Sequence, residues 1–203
     1  MRAVRGAKVR RVAKAPSSIR IALEEGARVY LETLAREERT IERIARLFGS
    51  TLRQGRTIFF CGNGGSAAEA QHLAAELVGR FVRDRRALPA LALTTDTSIL
   101  TSVGNDYGFE RVFARQVEGL GRRGDLLVAL TTSGRSPNIL AAVRAARANG
   151  LKVVGMTGAQ GAAFARRCDL CLVVPSRYTP RIQEVHLAVG HVCCELAETG
   201  FRR

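Results

Sequence analysis

Tryptophan is absent from this chain of 203 residues, and only eight phenylalanines and three tyrosines supply aromatic surface. That scarcity removes the base-stacking platforms on which single-stranded nucleic acids are held. Lysine is almost absent too, with three against 29 arginines, so the formal charge of +14 is carried by arginine. This charge does not point to a nucleic-acid partner. Arg2, Arg5, Lys8, Arg10, Arg11 and Lys14 all fall in residues 1–16, which contain no acid and read as a disordered, dispensable basic tail. Elsewhere basic residues alternate with acidic ones, as in LAREERTIERIARLF, and leave no basic stripe.

No apolar run reaches the ~18 residues that a membrane span requires. The basic N-terminus is not followed by the apolar core of a secretory signal. A soluble, cytoplasmic protein without a membrane partner is the expectation. The five cysteines have no scaffold spacing, which fits a reducing compartment. Cys168 and Cys171 form a lone C-x-x-C with no second pair to complete a zinc site. Because Cys171 falls inside the apolar run LCLVVP, packing is favoured over a metal or redox role. Cys193 and Cys194 read as packing residues of the last helix.

What remains is an alternation of elements. Ile41, Ile44, Phe48 and Leu52 recur at helical spacing, so 18–54 reads as two helices or one bent helix, with Ser17 or Ser18 as cap. Apolar strand-like runs follow at 57–62, 89–94, 125–131, 151–157 and 169–175. Between them lie helical stretches at 65–79, from Asp96, near 110–119, at 136–149 and around 160–167, and a long helix at 180–199 closes the chain. The runs are uniformly apolar rather than alternating, so both sheet faces are covered. The prediction is α/β: a five-stranded parallel sheet between helical layers, a three-layer αβα sandwich, with residues 17–203 as one domain that includes the N-terminal helical segment.

In such sheets ligands bind beyond the carboxyl ends of the strands. Three loops compete there. GNGGS (62–66) offers backbone N–H groups at a helix start, but it lacks the dinucleotide spacing and the lysine of a nucleotide-phosphate loop; a plain strand–helix turn is equally open. TTSGRSPN (131–138) sets Thr131, Thr132, Ser133 and Ser136 before Pro137 at a helix start, which favours a phosphate cup over a simple cap. GNDYGF (104–109) brings Asn105 and Asp106, suited to sugar hydroxyls, but reads as an ordinary turn.

The chain has three histidines. His72 and Glu76 lie one helical turn apart and share a face. Gln183 and His191, eight residues apart, can face one site about 80° around the last helix, whereas His186 points elsewhere. His72, Glu76, Gln183 and His191 would make a four-ligand zinc set. Glutamine is an uncommon ligand, so spacing alone leaves structural roles ahead of a metal.

CGNGGSAAEAQHLAAEL, VGNDYGF, TTSGRSPN and RIQEVHLAVGH, in that order, resemble the sugar isomerase (SIS) domain family, and within it the bacterial phosphoheptose isomerases, from about residue 20 to 200. The resemblance implies a flavodoxin-like sheet and a homotetramer with sites between subunits. It implies aldose–ketose isomerisation of sedoheptulose 7-phosphate to D-glycero-D-manno-heptose 7-phosphate, the first step towards nucleotide-activated heptose. Substrate contacts would fall on Asn63, Gly64, Gly65, Ser66, Glu76, Asn105, Asp106, Thr131, Thr132, Ser133, Ser136 and Gln183. One zinc per subunit would be held by His72, Glu76, Gln183 and His191, with Glu76 and His191 as the acid–base pair. The chain departs from the pattern at Ala67 (often His), Thr131 (usually Ser), Arg135 (often Asn) and Thr179–Pro180, where some relatives have an acid. The alternative is a non-catalytic SIS regulator of the replication-initiator-binding type, which would not need Glu76 and His191.

Overall fold

A computed structural model describes residues 17–201; the basic tail, residues 1–16, lies outside the described residues. The elements run α1 (Ser18–Arg53), β1 (Ile58–Cys61), α2 (Gly65–Val78), β2 (Ala90–Ala92), α3 (Thr97–Tyr107), α4 (Ala114–Leu120), β3 (Leu126–Leu130), α5 (Pro137–Ala148), β4 (Lys152–Gly158), α6 (Ala162–Ala165), β5 (Leu170–Val174) and α7 (Thr179–Glu198). All strand pairs are parallel, in the order β2-β1-β3-β4-β5. This is the doubly wound order, in which the chain reverses its direction of travel between β1 and β3.

The apolar strands have two faces to cover, and alternate residues go to opposite sides. Phe60 and Val128 join Ile44, Phe48, Leu73 and Leu77 beneath α1, α2 and α7. Phe59, Leu127 and Ala129 join Val112, Val117, Ile139 and Phe164 beneath α4, α5 and α6. That is the expected αβα sandwich.

The first helix is one element of 36 residues, which resolves the choice between two helices and a bent one. No proline interrupts it. Ser17 Oγ accepts from the Arg20 N–H, and Arg20–Glu24, Arg28–Glu32 and Arg46–Glu42 pair at i,i+4 along its surface. The GNDYGF segment differs from its sequence reading. Residues 104–107 continue α3, and Gly108 at φ 83° ends the helix, so Asn105 and Asp106 sit on a helical turn rather than in a loop. Asp96 caps that helix through Ile99 N–H, and the cap carries a helix of 11 residues across a stretch with a weak apolar pattern. Cys193 and Cys194 are buried in the α7 packing face as expected. No described helix is long and apolar enough to cross a membrane.

Candidate active site

The two glycine- and hydroxyl-rich loops meet at the β1/β3 switch point. They enclose a cavity of about 310 Å³, whose lining includes Ser66, Thr131, Thr132, Ser133, Ser136 and Gln183. A reciprocal amide pair ties the loops together: Asn63 Nδ2 donates to Asn138 Oδ1 at 2.9 Å, and Asn138 Nδ2 donates to Asn63 Oδ1 at 2.7 Å. Asn138 is buried in the first turn of α5. The sequence reading passed over it; an asparagine one residue after a first-turn proline is the signal that was available. Asn63 lines the cavity, but its amide is engaged by this pair. Gly65 is required by close approach, because a Cβ there would lie 2.5 Å from Gln183 Nε2.

The hydroxyls of the second loop are turned for donation. Thr131 Oγ1 accepts from the Gly134 N–H and Ser133 Oγ from the Arg135 N–H, both at 3.2 Å. An oxygen that already accepts from the backbone has its own proton left for a ligand. Ser136 occupies the N-cap position of α5 with Pro137 behind it, as the sequence suggests, but makes no capping bond with its side chain. Its hydroxyl stays free at the positive end of a helix of 12 residues. The site therefore offers hydroxyl and N–H donors with no lysine, a constellation suited to an anion.

The acid–base groups gather farther along α2 and α7. His72 Nε2 lies 3.2 Å from Glu76 Oε1 and 2.8 Å from His191 Nε2, and one atom from each residue falls within 4.8 Å of the others. The i,i+4 spacing on α2 and one residue from α7 suffice to build this cluster. Phe81 stacks on His191, with ring centroids 5.2 Å apart. Burial, then the neighbouring His72, lowers the His191 pKa against the opposing pull of Glu76, which favours the neutral imidazole. Two imidazole nitrogens facing each other at 2.8 Å leave one lone pair to be met by a proton or a cation. With a carboxylate oxygen beside them, the donor set fits a divalent ion of the zinc type. Gln183, the fourth residue of the set read from the sequence, lies on the same helix as His191. It precedes His191 by about 12 Å of helix axis, and its Nε2 donates to Ser66 Oγ at 3.4 Å. His186 is fully buried and faces Glu69, with Nδ1 4.0 Å from Oε2. Asn105 and Asp106 are exposed and bonded to each other at 2.8 Å, outside the lining of the cavity.

Residues 23–158 match the model of the SIS domain family. The phosphoheptose isomerase of Roseiflexus sp. is 54% identical over 176 residues, which span 87% of this chain and 89% of that protein. The solved phosphoheptose isomerase of Neisseria gonorrhoeae superposes with a TM-score of 0.84 at 41% identity, covering 89% of this chain and 97% of that one. The chain belongs to the phosphoheptose isomerase family of SIS-domain proteins. A second relative, the phosphoheptose isomerase of Rhodospirillum rubrum, is 58% identical over 158 residues, spanning 78% of this chain and 84% of that protein.

Membership of the phosphoheptose isomerase family gives the departures a frame. Pro180 sits in the first turn of α7, where its missing N–H costs nothing, and Thr179 beside it lines the cavity. Arg135 is exposed on the cup loop. Thr131 keeps the hydroxyl that accepts from Gly134, so a methyl is all it adds there. Arg85, buried and in contact with the backbone end of α2, was not singled out from sequence, because a lone arginine in an arginine-rich chain gives no signal.

Proposed function

We propose that the chain interconverts sedoheptulose 7-phosphate and D-glycero-D-manno-heptose 7-phosphate by moving a proton between C1 and C2 through an enediol. One observation carries the reading: Ser66 and Gln183, which line the cavity with the cup hydroxyls, and the His72–Glu76–His191 cluster lie along one α2–α7 seam, about 9–12 Å apart by helix rise. A seven-carbon sugar phosphorylated at one end and reacting at the other requires such a separation. Thr131, Thr132, Ser133, Ser136 and the start of α5 take the phosphate. Ser66, Gln183 and the backbone of Asn63, Gly64 and Gly65 face the sugar. Glu76 takes the carbon-bound proton, and neutral His191 shuttles protons at the sugar oxygens.

His72, Glu76 and His191 would hold a zinc ion, which when bound polarises the C1 and C2 oxygens as a Lewis acid. Three protein ligands leave a position open for substrate, the pattern of a catalytic zinc. A bond from Gln183 to the same ion would require its side chain to leave Ser66. A homotetramer completes the site, and Asn105 and Asp106, exposed on α3, meet substrate across a subunit boundary. The exposed apolar side chains of Leu31, Leu34, Val192 and Leu196 support this assembly. Five free thiols support a cytoplasmic setting. A non-catalytic phosphosugar regulator would use the cup but has no need of the cluster.

The test is turnover of sedoheptulose 7-phosphate together with zinc content. Glu76→Gln and His191→Ala should each lower kcat by roughly 10² or more. His191→Ala should also lower bound zinc, whereas Glu76→Gln, which keeps an oxygen, lowers it less. A zinc-loaded wild type without isomerase activity overturns the reading.

A further inference from the structure

The C-x-x-C pair has no part in the proposed reaction, yet its two sulfurs are neighbours. Cys168 Sγ and Cys171 Sγ fill the space beside Gly155 where a Cβ would stand, at 2.7 and 2.9 Å from that position. Each thiol donates to a backbone carbonyl, Cys168 to Phe164 at 3.5 Å and Cys171 to Leu172 at 3.6 Å, so neither proton lies between the two sulfurs. Both residues are partly exposed, unlike Cys61, Cys193 and Cys194, which are buried. Phe164 connects this pair to the cup. Its ring packs on the same Gly155 position at 2.6 Å, and its Cβ lies 2.9 Å from where a Cβ of Gly134 would be. Gly134, at φ 68°, forms the turn of the hydroxyl loop.

We infer that Cys168 and Cys171 are a dithiol that closes to an intramolecular disulfide and, when closed, loosens the hydroxyl loop through Phe164 and Gly134. The bond that forms must bring the sulfurs to about 2.0 Å, which removes the Cys168 contact with the Phe164 carbonyl and draws on the last turn of α6. The oxidant is a low-molecular-weight disulfide. Cys168, as the thiolate, attacks the small disulfide first. One thiolate leaves and takes a proton, giving a mixed disulfide. Cys171 then attacks the Cys168 sulfur and expels the second thiol. Two protein thiols lose two electrons, and one small disulfide becomes two small thiols.

Closure stands without the proposed reaction; its effect on the loop rests on the phosphate role assigned there. The full chain is equilibrated with excess oxidised glutathione, quenched in acid, unfolded and titrated. Free thiols should fall by two from five, with no glutathione retained and a peptide joining Cys168 to Cys171. KM for sedoheptulose 7-phosphate should rise about fivefold, the scale of one weakened hydrogen bond, and return on reduction. The Cys168→Ser/Cys171→Ser variant should ignore the oxidant. Five persisting thiols, or stable glutathione adducts in place of the link, overturn the dithiol. A formed link with unchanged KM overturns its connection to the loop. If the reduced wild type has no turnover, the functional reading fails and the thiol count alone decides the dithiol.

Discussion

Ser133 and Ser136 differ in one respect that bears on their use. Ser133 already accepts a backbone N–H, while Ser136 makes no side-chain cap bond. Each has a proton free for an anion, and each bond to a charged oxygen is worth about 1.5–3 kcal/mol. The Ser133→Ala/Ser136→Ala variant should therefore raise KM strongly in steady-state assays, with its fold unchanged by circular dichroism. A KM near wild type places the phosphate elsewhere. At the same scale, Glu69 and His186 form a buried pair that the reaction does not use. Burial pushes the Glu69 carboxyl up to about 7, against the Ser66 hydrogen bond, and pushes His186 down to about 4. The folded state thus prefers both neutral. The Glu69 contribution is full below the ordinary carboxylate value of 4.5 and is lost as pH rises towards 7. The His186 contribution is present above 6.5 and is lost as pH falls towards 4. Between those ordinary values the slopes oppose. Glu69→Gln removes the first, so its melting temperature should climb between pH 4.5 and 6.5 more steeply than that of wild type. Equal slopes in thermal melts would count against the pair.

The α2–α7 seam depends on an ion pair at its far end. Arg85 and Glu198 are fully buried, with Nε 3.3 Å from Oε2. Arg85 also donates to the carbonyls of Leu77 and Gly79, each at 2.9 Å, and of Glu76 at 2.8 Å. Glu198 Oε1 accepts from the N–H groups of Val82 and Arg83. One residue pair therefore closes the C-terminal turn of α2, the following loop and the end of α7. Removing the cation leaves a buried carboxylate without its partner. Arg85→Met should cost ~3–5 kcal/mol in urea unfolding. Because Arg85 holds the carbonyl of Glu76, kcat should fall more than KM rises. A variant with wild-type stability would show that the loop is held by packing alone.

At the scale of the whole molecule, the described residues leave an apolar face uncovered along α1 and α7. Along α1 and α7, Leu31 is 69% and Leu34 52% exposed, and a largely apolar groove of about 300 Å³ runs between the helices. A homotetramer built on this face should dissociate in Leu31→Glu/Leu34→Glu, as read by light scattering. Turnover should be lost with it if Asn105 and Asp106 act across subunits. A variant that stays assembled places the interface elsewhere.

The sequence by itself determined the architecture. Uniformly apolar runs five times over, separated by helical stretches, leave a two-sided parallel sheet as the solution that buries them. It also determined the chemistry of the cup, since four hydroxyls before a first-turn proline are local facts, and the shared face of His72 and Glu76, since helix periodicity fixes it. Helical spacing added His191 and Gln183 as candidates and the family motifs their roles, but neither supplied their distances. Only the tertiary structure decided that His191 joins His72 and Glu76 while Gln183 turns to Ser66, because that depends on how α7 crosses α2. Only it decided that Asn63 pairs with Asn138, 75 residues away, and that GNDYGF continues the helix capped by Asp96 and ends it at Gly108. It alone brought Arg85 to Glu198, and the two sulfurs of a weak C-x-x-C signal onto one glycine. Local pattern fixes which residues share a face; which faces meet is settled by packing across the sheet, and no short window of sequence contains that information.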